Sequence, residues 1–152
     1  MNITIYSKKE MEIMIAEHKF PEHTAVISFY DKRRSENYKY INYNNICQDV
    51  FYCEIDDLDL KVLEYYGYTY DTYFPETDKL AKFIYKAYEN NKNIICQCDY
   101  GQSRSAGCAS AILEHFYHTG ISVFIDYRRC PNQVVYHKVF DALEKYKKNI
   151  SQ

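Results

Sequence analysis

The spacing of apolar and polar positions changes several times along the chain, and each change marks an element. Residues 2–6 alternate weakly, as a strand does, and Ser7-Lys8-Lys9-Glu10 then supplies a capping box for a helix striped by Met11, Met14 and Ile15. Pro21 closes that unit. Thr24 to Tyr30 is a continuous apolar run, the pattern of a strand covered on both faces. Residues 31–50 are polar and read as loop, and residues 51–55 form a short strand that runs into Asp56-Asp57-Leu58-Asp59. After a tyrosine-rich connection, Pro75 opens a helix with Leu80, Phe83, Ile84, Ala87 and Tyr88 along one face. Asn90-Asn91-Lys92-Asn93 breaks it, and Asn93-IICQ is a further strand. Arg104 to His118 predicts a helix ended by Gly120, and residues 132–148 a last amphipathic helix through Val135, Val139, Leu143 and Tyr146. Asn132, after Pro131, is placed to cap that helix.

Strands alternating with helices predict an α/β fold: one domain over residues 1–152, with a central, mainly parallel sheet flanked by helices. Ligands of such sheets gather at the carboxyl ends of the strands, where this pattern places both Cys98 and Asp57. Composition narrows the function classes. A formal net charge of -2 argues against nucleic acid or an acidic membrane surface as partner. No apolar run approaches the ~20 residues that cross a bilayer. The amino-terminal MNITIYSKKEMEIMI does not read as a secretory signal, so a cytoplasmic location with reduced thiols is expected. The 6 Cys (47, 53, 96, 98, 108 and 130) have neither the density nor the spacing of a disulfide framework. Cys96 and Cys98 are read as pointing to opposite faces of their strand, and no Cys-x-x-Cys or His-x-x-x-His pair accompanies them. No metal and no cofactor are expected.

The stretch CDYGQSRS at 98–105 is a strand-to-helix turn in which successive N–H groups can converge on an anion. The helix starting near Arg104 adds its unpaired N–H groups and the positive end of its dipole. Gly101 permits a backbone angle that a side chain opposes. Arg104 offers a planar fork for two phosphate oxygens. A thiol at a helix N-terminus beside a cation ionises readily, so the turn pairs a phosphoryl site with a sulfur nucleophile.

Cys98, five intervening residues, then Arg104 and Ser105 resembles the signature loop of the cysteine-dependent protein tyrosine phosphatases, and the wording CDYGQSRSAG resembles the small dual-specificity branch of bacterial and phage type. The acid-bearing segment 51–57, the helix after Pro75 and PNQVVYHKVFDAL at 131–143 follow the same order of elements. The resemblance implies the phosphotyrosine phosphatase fold and a metal-free, two-step mechanism. In it Cys98 attacks phosphorus to give a phosphocysteine. The amides of Asp99, Tyr100, Gly101, Gln102, Ser103 and Arg104, together with the Arg104 side chain, bind the phosphoryl oxygens. Ser105 assists departure of the sulfur, and an aspartate serves as general acid. Alignment favours Asp57 for the acid, with Asp56, Asp59 and Asp71 as alternatives. The residue before the nucleophile, usually histidine in that family, is Gln97, which keeps open a second reading as a phosphate-binding module with little turnover.

The implied substrate is a phosphoprotein or phosphopeptide carrying phosphotyrosine, or phosphoserine and phosphothreonine. Asp99 in the loop opposes a highly anionic head group, and Tyr65, Tyr66, Tyr68, Tyr70 and Tyr73 are candidates for an aromatic wall. Lys32-Arg33-Arg34 and Arg128-Arg129 are read as solvated loop charges.

Overall fold

In the computed structural model, which describes residues 1–152, four strands carry the predicted apolar runs: Ile3–Ser7 (β1), Thr24–Tyr30 (β2), Val50–Glu54 (β3) and Asn93–Cys98 (β4). All neighbouring pairs are parallel, in the order β1-β4-β2-β3. The two central strands are the continuously apolar ones and are buried almost throughout, as parallel strands covered on both faces must be. Six helices surround the sheet: Lys8–Ala16 (α1), Tyr70–Tyr73 (α2), Thr77–Glu89 (α3), Arg104–Tyr117 (α4), Ile121–Phe124 (α5) and Gln133–Ile150 (α6). None is long and apolar enough to cross a membrane.

Strand alternation divides the core into two layers. Ile27, Phe29, Cys96 and Cys98 point toward α3, α4 and α6, in one cluster with Leu80, Ile112 and Leu143. Val26 and Ile95 point the other way, onto Met11 of α1 and onto Ile41 and Tyr43 of the 31–49 segment. Cys96 and Cys98 therefore share a face. The opposite-face expectation fails because residues two apart on a strand repeat its period. The capping box is present: Ser7 Oγ accepts from Glu10 N at 3.1 Å and the Glu10 carboxylate accepts from Ser7 N at 2.9 Å. Ser7 pairs in register with Cys98, so the start of α1 lies beside the end of β4.

Two details differ from the sequence pattern. Helix α4 stops at His118, which takes the left-handed conformation (φ 56°) and donates its N–H to Glu114, whereas Gly120 lies beyond and gives its carbonyl to Ser110. The tyrosine-rich connection contains two 3₁₀ turns, Leu60–Val62 and Glu64–Tyr66, and then α2, elements too short to impose an apolar period.

Gly107 lets the first turns of α4 approach the Pro131–Asn132 corner. A Cβ at Gly107 would run into the backbone carbonyl of Asn132, which has little room to move. Alanine is the better helix former by ~1 kcal/mol, but overpacking of this kind costs about 1–3 kcal/mol. Gly107→Ala is therefore expected to lower the denaturation midpoint.

A second expectation concerns His115, whose side chain joins three helices. Its Nε2 lies 2.6 Å from Tyr85 Oη of α3 and its Nδ1 lies 2.7 Å from Glu144 Oε1 of α6. Burial pushes its pKa below the ordinary value and outweighs the pull of Glu144. The folded state thus binds a proton less readily than the unfolded chain, so this contribution is present above the unfolded pKa of about 6.5 and is lost as pH falls. The melting temperature should drop between about pH 7 and 5, and the drop should be smaller in His115→Gln.

Candidate active site

Strand β4 delivers Cys98 to the carboxyl edge of the sheet, and the chain then loops through residues 99–103 into α4. Gly101 turns that loop with φ +67°, and a Cβ there would stand 2.8 Å from the Ser7 backbone nitrogen, so the position needs glycine twice over. Four contacts fix the loop from outside. Lys8 N donates to Asp99 O, Cys130 N to Gln102 O and Asn132 N to Ser103 O, while Arg129 Nη1 donates to Gly101 O. The carbonyls of Asp99, Gly101, Gln102 and Ser103 are thus satisfied by residues outside the loop. None of the N–H groups of residues 99–104 donates to any protein acceptor. A run of unpartnered amides at the start of a long helix is an anion-binding concavity.

Cys98 is 2% exposed, and its Sγ lies 3.0 Å from Ser105 Oγ. Arg104 is 4% exposed and its guanidinium is held from one end: Nη1 donates to Asp31 Oδ1 at 2.6 Å and to Ile55 O at 2.7 Å. Nη2 stands 3.6 Å from Asp99 Oδ2, beyond a good hydrogen bond, and Nε is buried with no partner. Burial opposes the charge of Arg104, but Asp31, Cys98, Asp57 and Asp99 around it hold its pKa above the ordinary value. Burial also raises the pKa of Asp31, against the pull of Arg104 and with a push from Asp99. Tyr38, reaching in from the 31–49 segment, donates its hydroxyl to Asp99 Oδ1 at 2.7 Å; its own pKa is raised by burial and by that carboxylate.

The structure separates the candidate acids. Asp57 reaches the loop: its Oδ1 accepts from Ser103 Oγ at 2.7 Å and from Asn132 Nδ2 at 2.9 Å. Asn132 caps α6 through Val135 N and also donates to Leu58 O, so one side chain ties the final helix to the acidic segment. Asp56 is buried and turned away, taking both the backbone N–H and the Nε of Arg33. Asp59 caps the first 3₁₀ turn through Lys61 N, and Asp71 lies in α2 with its carbonyl toward Lys138.

Several readings of individual side chains change. Gln97 sits on the face of β4 opposite Cys98, where its Oε1 accepts from Ser28 Oγ at 2.5 Å and Tyr43 Oη at 3.0 Å. It braces β4 against β2 and the 31–49 segment. Arg33 and Arg34 are exposed, as expected of loop charges, but each has a partner: Arg33 lies over the Tyr66 ring and pairs with Asp56, and Arg34 pairs with Glu54, while the half-buried Arg129 holds Gly101. The tyrosines of 65–73 do not form one wall. Tyr73 is buried and bonded to the Asp56 carbonyl, Tyr68 packs on Tyr73, and Tyr65 is 85% exposed. Tyr70 alone of them lines the cavity of about 650 Å³ that opens beside Asp57 and Ser103, with Leu60, Pro131 and Val134. In the loop itself the Tyr100 and Gln102 side chains face outward, leaving their amides as the groups on offer. Asp31, Tyr38 and Arg129 belong to the site although no motif marks them.

No protein-family model matches the sequence, and no curated protein matches it significantly. Solved structures do. PTPMT1 in complex with PI(5)P aligns over 98% of this chain and 94% of its own, with a TM-score of 0.58 and 10% identity. A leucine-rich-repeat and phosphatase-domain-containing protein from Entamoeba histolytica aligns over 99% and 91%, with a TM-score of 0.51 and 11% identity. The human tyrosine phosphatase-like serine/threonine/tyrosine-interacting protein aligns over 96% and 87%, with a TM-score of 0.52 and 14% identity. A parallel four-stranded sheet flanked by helices, matched end to end by these structures, is the fold of the cysteine-dependent tyrosine and dual-specificity phosphatases.

Proposed function

We propose that the protein is a cysteine-dependent phosphatase of phosphotyrosine-bearing proteins or peptides. The observation that carries this is the run of unpartnered N–H groups at 99–104, which directly follows Cys98 and ends on Arg104 with its Nε unpartnered. Such a run accommodates the equatorial oxygens of a phosphoryl group and stabilises the charge they gain in the transition state.

In the first displacement the Cys98 thiolate attacks phosphorus, the bond to the leaving oxygen breaks, and Asp57 gives that oxygen its proton. In the second, water attacks the phosphocysteine and loses a proton to the Asp57 carboxylate. The S–P bond breaks, and inorganic phosphate and the thiolate are released. The Ser105 hydroxyl, 3.0 Å from the sulfur, stabilises the thiolate as it departs. The leaving group lies opposite Cys98, on the side of Asp57, where the cavity of about 650 Å³ provides room for it.

Two features favour phosphotyrosine. Cys98 is only 2% exposed, so a long aryl phosphate reaches it more readily than a short seryl phosphate. Asp31, Asp57 and Asp99 around Arg104 oppose a strongly anionic phosphoinositide head group, the class of ligand in the PTPMT1 complex with PI(5)P. The test is to compare hydrolysis of a phosphotyrosyl peptide, the same peptide with phosphoserine, and a phosphoinositide. The expected result is at least about tenfold greater kcat/KM for the phosphotyrosyl peptide. Faster turnover of the phosphoinositide overturns the assignment. Phosphate binding without turnover of any of the three supports the reading as a phosphate-binding module instead.

A further inference from the structure

Arg104 is the only side-chain cation shown bonded inside the cradle, and the way it is held specifies how it meets an oxyanion. A guanidinium has five N–H groups in one plane. The two on Nη1 are both used, one by the Asp31 carboxylate at 2.6 Å and one by the Ile55 carbonyl at 2.7 Å. The Nε–H, buried without a partner, and the protons of Nη2, which stands 3.6 Å from Asp99 Oδ2, are left over. Nε and Nη2 lie along one edge and form the fork that matches two oxygens of a phosphoryl group. The protein therefore consumes the end of the guanidinium that cannot serve as this fork and keeps the edge that can.

We infer that Asp31 is the positioning residue of the phosphate site: its carboxylate, with the Ile55 carbonyl, fixes the rotation of Arg104 so that the Nε–Nη2 edge is presented to the phosphoryl oxygens. This inference rests on the phosphate-cradle reading above. Asp31 directly follows β2, and β2 pairs with β4 residue by residue up to Ser28↔Gln97, so the anchor stands on the strand next to the one that carries the nucleophile. Ile55 directly follows β3 and immediately precedes Asp56-Asp57, so through its carbonyl the same guanidinium also ties the segment bearing the proposed acid to the loop. The Asp31 carboxylate bonds to the Arg104 guanidinium and not to the sulfur. A fork turned away from its oxyanion loses transition-state charge stabilisation more than ground-state binding, because the equatorial oxygens gain charge as the reaction proceeds.

The test compares wild type, Asp31→Asn and Asp31→Ala by equilibrium binding of inorganic phosphate, by kcat and KM for p-nitrophenyl phosphate, and by melting temperature without oxyanion. Asparagine keeps an acceptor for Nη1, whereas alanine removes it. The expected order of phosphate affinity and of kcat is wild type, then Asp31→Asn, then Asp31→Ala. The alanine variant should lose about 10- to 100-fold in kcat, with a smaller change in KM. A residue of purely structural weight would lower the melting temperature and the active fraction while leaving phosphate affinity per folded molecule unchanged, and that pattern overturns the inference. So does tighter phosphate binding in Asp31→Ala, the outcome if the carboxylate competes with phosphate for the guanidinium. Wild-type protein that binds phosphate but lacks Cys98-dependent turnover defeats the phosphatase reading alone, and the order of phosphate affinities still decides the role of Asp31. Absence of phosphate binding in wild type overturns both.

Discussion

Cys98→Ser is expected to lower phosphatase turnover by roughly 10⁴-fold or more and to leave phosphate binding intact. The two halves of that result have separate physical origins. Turnover depends on a thiolate, which is nucleophilic at neutral pH, and a serine hydroxyl in the same place holds its proton far more tightly. Binding depends on the amides of 99–104 and on the free edge of Arg104, none of which the substitution touches. Serine has the shape of cysteine and is only slightly smaller, and residue 98 belongs to the main core with Ile27, Cys96 and Cys108, so the loop has no reason to collapse. The measurement is p-nitrophenyl phosphate hydrolysis beside calorimetric titration with inorganic phosphate. Residual turnover within tenfold of wild type would show that another group performs the attack. A variant that binds phosphate and fails to turn over also serves to trap phosphopeptides, the direct route to a physiological substrate.

How much of this site the sequence disclosed depends on distance along the chain. Cys98, the loop and Arg104 are contiguous, and a strand running into a helix through a glycine turn places them without tertiary information. The parallel sheet was legible for a similar reason, since the continuous apolar runs of β2 and β4 admit no exposed face. Asp31 was not legible. It is 73 residues from Arg104 and looks like any polar residue after a strand, so only the pairing of β2 with β4 brings the two together. Arg129 and Tyr38 were hidden in the same way, as loop residues whose partners lie on a different turn of the chain. Gln97 was visible as an odd residue before the nucleophile. Strand alternation alone puts its side chain on the far face of β4, among Ser28 and Tyr43. The 3₁₀ turns of 60–66 and the short α2 carry no period, and the tyrosines of 65–73 are used individually, Tyr66 as a ring under Arg33 and Tyr73 through a hydroxyl on a backbone carbonyl, rather than as one surface.

The aspartate cluster at 56–59 gives the second large effect, because the structure assigns its three carboxylates to three different jobs. Asp57→Asn is expected to cost about 10²- to 10⁴-fold in kcat/KM with a phosphotyrosyl peptide. The cost should be smaller with p-nitrophenyl phosphate, whose nitrophenolate departs without needing a proton. Asparagine preserves the shape of the contact with Ser103 and the neighbouring Asn132, so the loss falls on proton transfer rather than on folding. The sign of the pH effect follows from the step: the acid must carry its proton in the first displacement, so wild-type activity falls as pH rises. Asp57→Asn has no such proton to lose, and that limb of its profile should flatten. Asp56→Asn behaves differently. It weakens a buried carboxylate that holds both the backbone and the side chain of Arg33, so it should lower the melting temperature while retaining the basic limb. Asp59→Asn keeps a side chain able to cap the turn at Lys61 and should change little. Profiles of all three variants with both substrates decide the matter, because only the true acid couples the loss of the basic limb to sensitivity toward the leaving group. If Asp56→Asn or Asp59→Asn shows that coupling and Asp57→Asn does not, the contact between Asp57 and Ser103 is a structural tether and the acid is elsewhere.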